Sequence, residues 1–124
     1  MSYALKVLVL AAGALALHLT LGWGWTIVAG VAAGLWVNRG GWLLGAMSVG
    51  LEWLTLIAFN YIADARAVQL MTETLGSILG NMPFWVIVAM TLLIGLVLGA
   101  LGGAAGTQLH RVIRPDRAAL QAIN

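Results

Sequence analysis

Cysteine is absent from this 124-residue chain, and charged residues are scarce. Without cysteine the chain forms no disulfide, no thiolate nucleophile and no zinc–thiolate centre. Only 8% of the residues are Asp, Glu, Lys or Arg, whereas a soluble domain carries about 25%. Because this small number of charges is not enough to cover a water-exposed surface, we expect the exterior of the protein to face a lipid bilayer.

The scarcity of polar groups also limits the chemistry that we expect. The sequence contains no nucleophile–base–acid constellation and no group of carboxylates with metal-ligand spacing, so we expect no enzymatic activity, no metal and no cofactor. A formal net charge of +2 is too small for a basic nucleic-acid surface, so we expect no nucleic-acid partner.

Long apolar runs dominate what is present. A membrane-spanning helix needs about 20 mostly apolar residues. The runs predict an all-α integral membrane protein of one domain, residues 1–124, with four transmembrane helices at about residues 4–21, 25–38, 41–61 and 83–107. The second of these segments is short for a full span.

A different pattern separates the third and fourth predicted spans. Val68, Met71, Leu75 and Ile78 recur at helical spacing, with polar residues between them. This spacing predicts an amphipathic helix at about residues 63–81, lying in the membrane interface. A short cap packed over the helical bundle is the alternative interpretation.

The positions of the basic residues predict the orientation in the membrane. Four spans place Lys6, Arg39 and the C-terminal arginines on one side, and Arg66 with Asp64 and Glu73 on the other. By the positive-inside rule, both termini are then cytoplasmic, in a bacterial or archaeal inner membrane. The arginines of the tail are Arg111, Arg114 and Arg117. They set this orientation, and the alternative is that they also attract anionic lipid headgroups.

Glycines at intervals of four residues indicate close helix packing. Small residues at this spacing let helix backbones approach each other inside lipid, in a four-helix bundle or between protomers. The predicted packing residues are Gly30, Gly34, Gly41, Gly45, Gly95, Gly99 and Gly103.

Glu52 is the best candidate functional residue, because a charge at the bilayer centre costs about 3 kcal/mol or more. Ser48 and Thr55 share its helix face, together with the glycines at 41 and 45, so this stripe should avoid lipid. At about 1.5 Å per residue, Glu52 lies roughly 16 Å and His18 roughly 20 Å from the inner helix ends. We therefore expect His18 to pair with Glu52 if their helices are neighbours; otherwise His18 approaches the outer headgroups.

The sequence is consistent with three roles for Glu52. It couples the movement of protons or cations, it forms a structural hydrogen bond as a neutral acid, or it pairs with a cation on another subunit. The first role predicts a homo-oligomeric channel or a proton- or ion-coupled carrier, with Glu52, His18, Ser48 and Thr55 as coupling or selectivity residues. The alternative function is a non-catalytic accessory, assembly or scaffold subunit of a larger membrane complex.

Overall fold

The computed structural model describes residues 1–37 and 39–114, and these two ranges contain helices and no strand. Five α-helices follow one another along the chain, and a 3₁₀ turn at Trp23–Trp25 precedes the second. They are α1 (Tyr3–Leu21), α2 (Thr26–Trp36), α3 (Gly41–Ala63), α4 (Ala65–Ile78) and α5 (Phe84–Ile113). The predicted all-helical fold class is confirmed.

Three of these helices, α1, α3 and α5, are long and apolar enough to cross a membrane. The helix in the second predicted span, α2, has 11 residues and is shorter than the predicted segment 25–38. Its helical rise is about 17 Å at 1.5 Å per residue, against a hydrocarbon core of about 30 Å. The chain leaves the helix at Val37, which is extended at φ −131° and ψ 139°. Asn38, the last residue of that predicted span, lies outside the described residues.

The fourth predicted span ends later than expected. α5 has 30 residues and continues to Ile113, six residues beyond the predicted end at residue 107. Helical geometry is lost at Arg114, which has φ −126° and ψ 70°. The residue before a proline is sterically disfavoured in the helical region, so Pro115 accounts for the end of the helix. Arg111 therefore belongs to the last turn of α5.

α5 packs against both α2 and α3, which also contact each other. Its glycines alternate between two neighbours: Gly99 and Gly103 meet the α3 backbone at Gly45 and Gly41, whereas Gly102 and Gly106 meet the α2 backbone at Ile27 and Val31. A Cβ built on Gly102 would lie 2.7 Å from the carbonyl oxygen of Ile27. The glycines thus bring three backbones of the same chain into direct contact.

These contacts also fix the directions of the helices. α5 runs antiparallel to α3 and parallel to α2, while α1 runs parallel to α3, since Tyr3 contacts Met47 and His18 contacts Glu52. The bundle therefore has two ends. We call the end with Tyr3, Trp36, Gly41 and Ile113 the terminal side, and the end with Leu21, Thr26, Ala63 and Phe84 the α4 side.

α4 lies against the ends of α3 and α5 on the α4 side. Asp64 caps it, accepting a hydrogen bond from the Ala67 N–H at 2.9 Å. The face that turns inward carries Thr72 and Gly76, and large apolar side chains stay exposed, Ile78 by 74%. α4 is thus shorter than the predicted 63–81, and its exposed apolar side chains favour the interfacial interpretation over a buried cap.

Candidate functional site

Glu52 lies near the middle of α3 and is buried, with only 1% of its surface exposed. The preceding members of its stripe, Gly41, Gly45 and Ser48, are buried with it. Thr55, one turn further along, is exposed and donates to the carbonyl of Leu51. The structure therefore separates Thr55 from the buried part of the stripe.

His18 of α1 reaches this carboxyl group. Its Nδ1 lies 2.7 Å from Oε1 of Glu52, and the side chains are 24% and 0% exposed, respectively. The two atoms have the separation of an ion pair without the alignment of a hydrogen bond. The predicted contact between the two residues is present because α1 and α3 are neighbours, as the pairing required.

The pair is a proton-binding group set in an apolar surrounding. A carboxylate only accepts hydrogen bonds, while an imidazole nitrogen donates or accepts according to its protonation. A neutral imidazole with a carboxylate has a net charge of −1, and one added proton makes the pair neutral. The neutral pair has the lowest desolvation free energy in an apolar surrounding. Gain or loss of one proton gives the pair a net charge.

Nearby hydroxyl groups do not compete for the carboxyl. Ser48 Oγ donates to the carbonyl of Leu44 at 2.7 Å, back along its own helix. Among the described residues, Oε2 of Glu52 has no hydrogen-bond partner. In the part of the chain that the structure describes, the close polar contact of the carboxyl group is therefore the one with His18.

Trp53 is the part of the site that sequence reasoning missed. Its indole meets the His18 ring edge-on, with the centroids 6.0 Å apart and the planes at 71°. Gly95 of α5 makes room for it, since a Cβ there would lie 2.7 Å from Cγ of Trp53. Its Nε1 is buried, with no partner within the described ranges. The available signal was a tryptophan in mid-span, away from the interfaces where tryptophan is usually found.

A cavity of about 410 Å³ opens beside the pair; we call it the histidine cavity. Three aromatic residues line it together with His18, and Glu52 contacts His18 without being part of the wall. The lining residues are His18, Leu19, Trp23, Trp53, Leu56, Ile57, Phe59, Asn60 and Thr91. Every one of these positions is uncharged apart from the imidazole, so any charge near the cavity comes from the His18–Glu52 pair.

A second cavity of about 450 Å³ lies under α4 and shares Ile57, Asn60 and Thr91 with the histidine cavity. Asp64 contributes the one carboxylate of its wall. Both cavities belong to the α4 side. On the terminal side of Glu52 the side chains of Leu44 and Ser48 are fully buried, and glycine contacts close the helices together. The histidine cavity therefore meets the pair on its α4 side.

The remaining predicted residues lie away from the pair. Gly30, Gly34, Gly41, Gly45, Gly99 and Gly103 form the contacts of α5 with α2 and α3, and Gly95 contacts Trp53. Arg111 and Arg114 are exposed at the terminal side, and Arg117 lies outside the described residues. Nearby, Nδ1 of His110 lies 2.8 Å from the carbonyl oxygen of Leu35, linking α5 to the end of α2.

Comparison with protein-family models, curated proteins and solved structures gives no match to this chain.

Proposed function

We propose that the protein is a small polytopic membrane carrier that couples proton binding at the His18–Glu52 pair to the movement of a small solute or ion. The observation that carries this proposal is the buried carboxyl group of Glu52, whose described partner is a single titratable side chain. An intramembrane ionisable residue is expensive and is usually functional. A cavity that meets the pair on the α4 side fits one of the two states that a carrier alternates between.

The proposal includes four spans with both termini in the cytoplasm. The Trp23–Trp25 turn extends α2, and local thinning of the bilayer would accommodate the remaining mismatch. The bundle of one protomer is closed by glycine contacts on the terminal side. A complete path is therefore expected between protomers of a homo-oligomer, in a bacterial or archaeal inner membrane. Neither catalysis nor a cofactor is part of this proposal.

Proton-coupled transport is tested with purified protein in liposomes that carry an imposed pH gradient. A pH-sensitive dye reports proton movement when K⁺, Na⁺ or a small organic cation is added to the opposite side. We expect cation-dependent proton movement, lost in Glu52→Gln, which keeps the side-chain shape and removes the charge. Glu73→Gln is the matched control, because Glu73 is exposed on α4 and lines neither cavity. Equal proton movement in Glu52→Gln and the unmodified protein would refute the coupling role.

A second function, as an accessory subunit of a larger membrane complex, is favoured by the apolar surface of α4. Met71 is 68% exposed and Ile78 74%, on a helix that also has a cavity beneath it. This function predicts a stable partner after extraction in a mild detergent. Met71→Lys with Ile78→Lys should release that partner, and isolation of the protein alone from native membranes would count against this function.

A further inference from the structure

We propose that the histidine cavity binds a small organic cation, such as a quaternary ammonium, and that binding releases one proton from the His18–Glu52 pair. This inference rests on the proposed coupling role of the pair and names the class of solute. The cavity volume of about 410 Å³ lies within the range of about 300–1,000 Å³ that is typical of small-molecule sites.

The wall of the cavity has the chemistry that recognises such cations. Trp23, Trp53 and Phe59 present aromatic rings, and an ammonium group is attracted to the face of an aromatic ring within about 6 Å. Trp53 also lies against the imidazole of His18. A cation held by Trp53 would therefore lie next to the proton-binding pair rather than at a remote point of the wall.

The charge near the cavity selects the sign of the ligand. Its wall is built from α1, the 3₁₀ turn, α3 and α5, and the titratable residue that these elements contribute to it is His18. Glu52 contacts His18 without being part of the wall. Asp64 lines the adjoining cavity under α4, and Lys6 is three turns away on α1, about 18 Å at 1.5 Å per residue. Arg66 is exposed on α4 and lines neither cavity. Among the described residues, Glu52 is therefore the charged side chain in contact with His18, so a cation is favoured over an anion.

Proton release follows from charge balance. The pair holding one titratable proton is neutral, so a bound cation leaves an uncompensated positive charge in an apolar site. Transfer of that proton from the pair to water in the cavity leaves a carboxylate with a neutral imidazole, of net charge −1. One cation is then balanced by one negative charge, and one proton appears in solution for each cation bound. No bond of the ligand is made or broken.

The experiment uses the full-length protein in lipid nanodiscs of neutral lipid. Choline is the cationic probe, and 3,3-dimethylbutan-1-ol has the same shape without the charge. Calorimetric titration gives affinity, and a pH indicator in weak buffer counts released protons. We expect choline to bind about tenfold or more tightly than the alcohol, a difference of about 1.4 kcal/mol or more, with release of up to one proton per bound choline.

The variants assign the effect to named residues. Glu52→Gln should abolish proton release and weaken choline binding about tenfold, while Glu73→Gln should match the unmodified protein. Trp53→Leu should weaken binding by about tenfold, and Trp53→Phe should restore part of it, because phenylalanine keeps an aromatic face. Unchanged helical content and thermal midpoint identify the variants that remain folded. Equal affinity for choline and the alcohol, or unchanged proton release in Glu52→Gln, would overturn the inference.

The two proposals fail separately. Choline binding with proton release, but no flux in liposomes, would refute the carrier function and leave the cation site standing. Glu52-dependent proton movement driven by an inorganic cation, with no binding of choline, would refute the cation site and leave the carrier function standing.

Discussion

Adding one methyl group at Gly103 should destabilise the protein, whereas the same change at Gly13 should stabilise it. A Cβ at Gly103 would lie 2.7 Å from the carbonyl carbon of Gly41 and 3.0 Å from Cα of Trp42. Both atoms belong to the α3 backbone, so no side-chain rotation relieves the overlap and α3 must move away from α5. A Cβ at Gly13, on the exposed face of α1, meets nothing within 4 Å.

The magnitudes follow from two opposing effects. Overpacking costs about 1–3 kcal/mol, and replacing a glycine by alanine inside a helix returns about 0.5–1 kcal/mol. Gly103→Ala should therefore lose up to about 2.5 kcal/mol of unfolding free energy, whereas Gly13→Ala should gain about 0.5–1 kcal/mol. The two variants share the same chemical change, and only the contact differs.

Reversible unfolding in mixed detergent micelles, followed by circular dichroism and tryptophan fluorescence, measures both changes. Purified variants at the same lipid-to-detergent ratio share the same unfolded state in the micelle. The difference between their unfolding free energies is therefore more reliable than either absolute value. A Gly103→Ala variant as stable as Gly13→Ala would show that α3 and α5 are not in backbone contact. The packing described above would then be wrong.

Three further predictions concern other parts of the chain. His18→Leu leaves the buried carboxyl of Glu52 without its described partner and should cost about 1–3 kcal/mol of unfolding free energy. In the same micelle unfolding assay, the double variant His18→Leu with Glu52→Leu should recover most of this loss. Additive losses from the two substitutions would contradict the contact. Asp64→Ala removes the α4 cap and should cost about 1 kcal/mol of unfolding free energy, whereas Asp64→Asn, an equally good cap, should leave it nearly unchanged. Because the chain has no cysteine, single cysteines can be introduced and labelled with a membrane-impermeant maleimide. Ser77→Cys should react from outside intact cells, whereas Asn124→Cys should react only after lysis. Labelling of both cysteines from the same side would refute the four-span topology.

The sequence predicts the three long helices and the depth of the proton-binding pair, because both depend on length and hydropathy alone. A rise of about 1.5 Å per residue places His18 and Glu52 at similar heights without knowledge of the fold. Whether they touch depends on which helices are neighbours. That information lies in the three-dimensional packing, and the contact between α1 and α3 supplies it.

Helix periodicity does not account for the exposure of Thr55, because Leu44 lies further round α3 on the same side of the stripe and is fully buried. The buried residues of α3 end at Glu52, and Thr55 lies almost one turn beyond it. Where the packing ends along a helix depends on the neighbouring helices, which the pattern of one helix does not contain. Trp53 lies next to Glu52 in the sequence, and its role depends on the space that Gly95 of another helix leaves for it.

The packing of α5 against both α2 and α3 has a consequence for the order of assembly during synthesis. α5 is made after the other described helices, yet it alone among them covers the glycine faces of both α2 and α3. Until its 30 residues leave the ribosome, Gly30 and Gly45 lack the backbone against which they pack. The earlier helices are therefore made before the helix that covers their glycine faces, and a chain stopped before Phe84 would leave those faces open to contact with other helices.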